Sequence, residues 1–348
     1  MAKIRLCQMA LLHRVTKFEL YFSDPNITHD CRDIPVTCKR PKVQTTLSTS
    51  LTFSDIGLHS GATVTMRINP AAAHHGVWIK RTDITIGDPL IAARWDNVKQ
   101  TQLCTKLIND LGAEVSTVEH VMAALAGCGV HNALIEVDGP EFPILDGSAV
   151  PFVRAILGAG VISLDVPVRA IRILAPVEFK TDQGWARFEP SDAPEMQFAI
   201  DFADKAIGKQ SKSLNLSNGS FVRELCDSRT FCRNSDVETM RAAGLALGGT
   251  MENAVVVDGD QILSPGGLRH ADEAVRHKML DALGDMALAG APIIGRYVGH
   301  RAGHALTNSL LRAMFANPKC FEVVTCDHDT AALLPGAGAH LDEVCAVA

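Results

Sequence analysis

Residues 116–139 read STVEHVMAALAGCGVHNALIEVDG. The apolar run that follows Glu119 and His120 predicts a helix, and Gly127 ends it. From Val130 the chain alternates, VHNALIEVDG, with the two-residue period of a half-buried strand. Helix, glycine stop and alternating strand together set the theme of the whole chain.

Upstream, TTLSTSLTF (45–53) alternates, GLHSG (57–61) is a turn, ATVTMRINPA (62–71) alternates again, and GVWIKRTD (76–83) is a further strand. Downstream, SAVPFVRAILGAG (148–160) is a short helix stopped by glycine. Near LDVPVRA (164–170) the pattern restarts with IRILAPVEFK (171–180) and GWARFEP (184–190) as strands. FVRELCDSRTF (221–231) reads as a helix, and MENAVVVDGDQILSPGG (251–267) as two strands around Asp258-Gly259. DEAVRHKMLDALGDMALAG (272–290) is the longest helix, with Asp272 as N-cap and Gly290 beyond its end. PIIGRYVG (292–299) is a strand and HALTNSLLRAM (304–314) the last helix. Strands and helices mix without a βαβ beat, which makes the fold class α+β. The second half repeats the first at low resolution. The expected division is a poorly structured extension over 1–43, one domain over 44–165, a second over 166–335, and a tail over 336–348.

Composition narrows the function. The 348 residues are 47% hydrophobic and 21% charged, ordinary for a globular protein long enough for two cores. A net charge of −6 argues against a nucleic-acid backbone as partner. The ten cysteines contain no C-x-x-C, and the closest pairs, Cys226/Cys232 and Cys320/Cys326, are separated by five residues, so no zinc ribbon or disulfide framework is indicated. The expected compartment is reducing, hence cytoplasmic. His13, Arg14 and Lys17 break the N-terminal apolar run, and no window has the length of a membrane span, leaving peripheral membrane contact at most.

Four places could carry chemistry. Ser116-Thr117-Val118-Glu119 matches a capping box, in which Glu119 bonds back to the Ser116 amide; local sequence alone favours that reading, with His120 as packing. His277, Asp281 and Asp285 are spaced i, i+4, i+8 and stack along one helix face. Such a stripe suits zinc, but Val275, Met279, Leu283 and Met286 lie opposite, so it also suits a solvated face. His300 and His304 are four apart, but each follows a glycine at a strand-to-helix turn, where His304 enters a helix. SRTF (228–231) is unremarkable alone. The H-E-x-x-H, Walker A, G-x-S-x-G and deaminase patterns are absent, and GLALGG (244–249) follows no strand.

Taken together, STVEHVMAALAGCGVHNALIEVDGPEFPILDGSAVPFV, SRTF, VRHKMLDALGD and GHALTNSLL resemble the UDP-3-O-acyl-N-acetylglucosamine deacetylases, zinc amidases of lipid A biosynthesis. DIGLHSG, LCTKL and GGTMENAVVV match as well, in the same order from about Thr45 to Asp327. The resemblance implies two similar sheet-plus-helix sandwiches with the active site at their interface. It implies His120, His277 and Asp281 as ligands of one Zn2+ per chain and Glu119 as general base. His304, oriented by Asp285, would be the protonated partner, and Thr230 would donate to the oxyanion. Lys278 would contact the diphosphate or nucleotide side. Phe231 and apolar residues between Val237 and Val256, Met251 among them, would line a passage for the acyl chain. A monomer acting on UDP-3-O-acyl-N-acetylglucosamine is implied, with iron(II) as an alternative metal. The chemistry is consistent, because an amide needs both an activated water and a polarised carbonyl, then a base and an acid. Gly184 stands where some members carry a lysine, residues 1–43 have no counterpart in the resemblance, and the tail after Asp327 diverges. The rivals are a catalytically silent nucleotide-sugar-binding protein and a zinc amidase for another acylated substrate.

Overall fold

The computed structural model describes residues 43–99 and 103–344 of the chain. The expectation for residues 1–43 therefore falls, Val43 apart, outside the described residues, as does that for the last four residues of the tail.

The first half runs β1 (Val43–Leu47), β2 (Leu51–Ile56), β3 (Thr63–Pro70), β4 (Val77–Arg81), β5 (Leu90–Ala92), β6 (Val98–Lys99), β7 (Lys106–Ile108), β8 (Glu114–Ser116), α1 (Glu119–Gly127), β9 (Ala133–Val137), α2 (Val150–Ala159) and β10 (Val161–Pro167). The second half runs β11 (Arg169–Ile173), β12 (Val177–Lys180), β13 (Trp185–Glu189), β14 (Pro194–Asp201), β15 (Lys209–Asn215), α3 (Ser220–Glu224), β16 (Phe231–Arg233), α4 (Asn234–Ala242), β17 (Val255–Asp258), β18 (Gln261–Ile262), α5 (Glu273–Ala287), β19 (Ile293–His300), α6 (His304–Ala316), β20 (Phe321–Thr325) and α7 (His328–Ala332).

The low-resolution repeat in the sequence becomes a topological one. In the first half β9 lies between β3, antiparallel, and β4, parallel, while β2 pairs outward on β3 and β5 on β4. In the second half β19 lies in the same way between β13 and β14, with β12 on β13 and β15 on β14. A helix precedes each central strand (α1, α5) and another follows it (α2, α6). A small three-stranded sheet interrupts each half at the same point: β6-β7-β8 before α1 and β16-β17-β18 before α5. One face of each sheet is covered. Val64, Met66 and Ile68 of β3 and Ala133, Ile135 and Val137 of β9 alternate inward, as Met196, Phe198 and Ile200 of β14 do, and all are at most 4% exposed. One continuous hydrophobic core draws on both halves. The α+β reading holds. Among the described residues no helix is long and apolar enough to cross a membrane.

Three stretches differ from expectation: TTLSTSLTF is divided between β1 and β2, which join different sheets, IRILAPVEFK is divided between β11 and β12, and the third leads into β16. FVRELCDSRTF is helical only as far as Glu224. Cys226 turns its carbonyl to the Ala149 amide, Arg229 is drawn to Glu273, and Phe231 is already in parallel register with Val255. Tertiary partners outweigh the helical propensity of this stretch.

Candidate metal centre

The S-x-x-E box is not formed. Ser116 is the last residue of β8, where both its amide and its hydroxyl donate to the Pro140 carbonyl. Thr117 then adopts φ +58°, a left-handed conformation that costs a β-branched residue about 1–3 kcal/mol. Its hydroxyl donates to Glu141 Oε1 at 2.9 Å, and the same carboxylate accepts the amides of His59 and Ser60, each at 2.8 Å. Helix α1 consequently begins at Glu119 itself, and the Glu119 side chain turns inward. Its Oε2 accepts the Thr105 amide at 3.1 Å instead of the Ser116 amide.

Helix α5 supplies the second face. His277, Asp281 and Asp285 are 3%, 4% and 3% exposed, so the stripe is not a solvated face. Val275, Met279 and Leu283 on the opposite side are buried too, because α1 and α5 both belong to the one hydrophobic core. Gly284 lets the helices meet at backbone distance: a Cβ there would sit 2.8 Å from the Glu119 carbonyl carbon and 3.1 Å from its Cα. That approach sets His120 against His277, with ring centroids 5.1 Å apart and planes at 85°.

Donor atoms of His120, His277 and Asp281 lie within 4.8 Å of one another. Asp281 Oδ1 is 3.6 Å from His120 Nε2 and 3.3 Å from His277 Nε2. Tetrahedral zinc with bonds of about 2.0–2.1 Å separates its donors by about 3.4 Å, so the donor set fits such an ion in both chemistry and spacing. The tautomer fits as well. His277 Nδ1 donates to the Ser228 carbonyl at 3.0 Å, which leaves Nε2 with its lone pair. Burial pushes the His277 imidazole down to about 4, so it stays neutral. Burial alone would raise Asp281, but its neighbours, the Lys278 ammonium among them, reverse this and hold its carboxyl well below the usual range. Lys278 Nζ donates to Asp281 Oδ2 at 2.8 Å.

Next to this set stand two groups whose proton affinities are both raised. Burial, the largest influence, raises Glu119. His304, the first residue of α6, is opposed by burial, but Asp285 and Glu119 outweigh it and lift the imidazole to about 9. Its Nδ1 donates to Asp285 Oδ2 at 2.8 Å, and its Nε2 faces Glu119 Oε1 at 3.7 Å and Asp281 Oδ2 at 3.9 Å. The arrangement can hold a cation, accept a proton at Glu119 and donate one from His304.

The remaining expected residues are arranged less tightly. Thr230 is half-buried at the head of β16, its amide donating to Gly147 and its carbonyl accepting the Val255 amide. Phe231 stands edge-on to His277, with centroids 6.3 Å apart, and packs against Phe202. Val237, half-buried on α4, and Met251, 39% exposed, belong to the more open stretch around the small second sheet. Sequence reasoning missed Thr105, the Ser228 carbonyl and the Thr117–Glu141 pair. LCTKL flagged the neighbourhood of Thr105, but a backbone acceptor and a left-handed threonine leave no local signal.

Residues 44–316 match the family model LpxC: UDP-3-O-acyl N-acetylglycosamine deacetylase. Three relatives carry the name UDP-3-O-acyl-N-acetylglucosamine deacetylase. The protein of Phenylobacterium zucineum (strain HLK1) is 48% identical over 83% of this chain and 98% of its own length. That of Haemophilus influenzae (strain 86-028NP) is 46% identical over 81% and 93%. That of Shewanella frigidimarina (strain NCIMB 400) is 42% identical over 86% and 99%. A buried His-His-Asp set beside Glu119 and His304, on a chain matched over most of its length, leads to one assignment: the chain belongs to the UDP-3-O-acyl-N-acetylglucosamine deacetylase family.

Proposed function

We propose that this chain is a zinc-dependent amidohydrolase that removes the N-acetyl group of UDP-3-O-acyl-N-acetylglucosamine, giving UDP-3-O-acyl-glucosamine and acetate. The step belongs early in lipid A biosynthesis, in the cytoplasm, and is carried out by a monomer. The observation that carries the reading is the buried His120, His277, Asp281 set with Glu119 and His304 beside it.

His120 Nε2, His277 Nε2 and one Asp281 oxygen would hold the ion. When bound, zinc would lower the pKa of a water to about 7 and polarise the amide carbonyl. Glu119 Oε1 takes the proton of the attacking water, a task for which burial has already raised its basicity. Water oxygen bonds to the carbonyl carbon, the C–N bond breaks, and His304 gives its Nε2 proton to the departing amine. Asp285 keeps His304 oriented and protonated. Thr230 donates to the carbonyl oxygen as it gains charge. Lys278 neutralises Asp281 and offers its remaining N–H groups to the diphosphate side. Phe231, Val237 and Met251 line the way for the acyl chain. In this reading the two topological repeats are two domains, 44–165 and 166–335, with the site between them. A silent nucleotide-sugar-binding protein would have no use for a buried acid and base beside three ligand groups.

The test is acetate release from that substrate, with and without chelator, in the parent, Glu119→Ala and His304→Ala proteins. Zinc-dependent release that both substitutions nearly abolish, with metal retained in His304→Ala, is expected. Undiminished turnover in Glu119→Ala would remove the base assignment, and loss of the ion from His304→Ala would show that the roles are interchanged.

A further inference from the structure

Thr105 has no part in the reaction as written above, yet all three of its polar groups reach the site. It is 3% exposed and stands just before β7. Its amide donates to Glu119 Oε2 at 3.1 Å, and its hydroxyl donates to Asp285 Oδ1 at 2.5 Å, across 180 residues of sequence. Its carbonyl accepts the amide of Val118, the residue before Glu119. Each carboxylate is thus held by one oxygen while the other faces His304. Glu119 Oε1 lies 3.7 Å from Nε2, and Asp285 Oδ2 lies 2.8 Å from Nδ1.

Terminal carboxylate torsions are soft, so neither group is fixed by its own rotamer. Two carboxylates on different helices keep a constant spacing only if something rigid touches both. We propose that Thr105 is the positioning residue that ties Glu119 and Asp285 to one point of the backbone, keeping the proton acceptor and the His304–Asp285 pair in register with each other. The proposal rests on the deacetylase reading for its kinetic consequence alone. A misplacement of about 1 Å at such a site costs on the order of 100-fold in rate.

Thr105→Val removes the hydroxyl and keeps the amide, and Thr105→Ser restores the hydroxyl. Each protein, loaded with zinc, is assayed for kcat and KM of acetate release and for ion affinity by chelator competition. The metal-free proteins are compared through the 15N and 1H signals of the His304 ring. Thr105→Val is expected to lose about 10- to 100-fold in kcat, with KM and ion affinity within about twofold of the parent, and to shift or broaden the His304 Nδ1–H signal. Thr105→Ser is expected to recover most of kcat and the parent signal. Parent-like kcat with an unshifted signal in Thr105→Val overturns the proposal, as does a Thr105→Ser protein as impaired as Thr105→Val. If Thr105→Val does not fold, Thr105→Ala is read by the same criteria. A parent that releases no acetate counts against the deacetylase reading, while the ring signals of the metal-free proteins still decide the role of Thr105.

Discussion

Gly284→Ala should injure the metal centre even though it touches no ligand. On an isolated helix this change is favourable by about 1 kcal/mol, because glycine is a poor helix former. Here the added Cβ would lie 2.8 Å from the Glu119 carbonyl carbon and closer still to its oxygen. Ordinary carbon contacts are about 3.5 Å or more, so α1 and α5 must part by about 1 Å. The obstacle is backbone and cannot rotate aside. Overpacking of this kind costs typically 1–3 kcal/mol, which outweighs the propensity gain in most of that range. In a chain of this length each kcal/mol is worth about 1–2 °C, so Tm should fall by at most about 3 °C. The larger effect is on the ion. His120 rides on α1 and Asp281 on α5, with donors 3.6 Å apart, and metal sites tolerate only about 0.2 Å in their bond lengths. Zinc affinity should drop by about tenfold or more. Thermal unfolding of the metal-free protein and chelator competition with zinc measure the two quantities separately. A higher Tm with unchanged affinity would refute the close helix approach.

Other outcomes follow from the same contacts. Glu273 accepts the amides of Arg229 and Arg269 and the Arg229 guanidinium, and so fixes the loop whose Ser228 carbonyl orients His277. Glu273→Gln should therefore weaken zinc binding by about 10-fold without removing a ligand, as measured by chelator competition; parent affinity would contradict it. His131 offers a pH test away from the metal. Its Nδ1 accepts the Thr45 amide at 3.2 Å, and burial pushes the imidazole down to about 4. The unfolded chain binds this proton more readily, so the contribution is complete above about pH 6.5 and fades as pH falls toward 4, by up to about 3 kcal/mol. Urea unfolding of metal-free His131→Gln should show a shallower loss of stability over that window than the parent, and parallel curves would argue against it.

The sequence made the elements legible because their patterns are local: alternation in β3 and β9, glycine after α1, and the long periodic run of α5. It also spaced His277, Asp281 and Asp285 on one face, but it could not say which way that face looked. Burial against α1 decided this, and α1 approaches only because position 284 lacks a side chain. Glu119 shows the same limit more sharply. Its local signature is a cap, and the cap is undone by a left-handed Thr117 held by Glu141, a residue 24 positions further on. Family resemblance supplied the roles that spacing left open. Thr105 stayed out of view because its importance lies in two partners, 14 and 180 residues away.

The most direct test of the account is a zinc titration of the metal-free protein, with bound ion and acetate release followed on the same samples. Activity should rise in proportion to zinc and level off at one ion per chain, and His120→Ala, His277→Ala and Asp281→Ala should each abolish that rise. Full activity without metal, or parent-like zinc binding in any of the three variants, would contradict the claim that these residues hold the ion that drives the reaction.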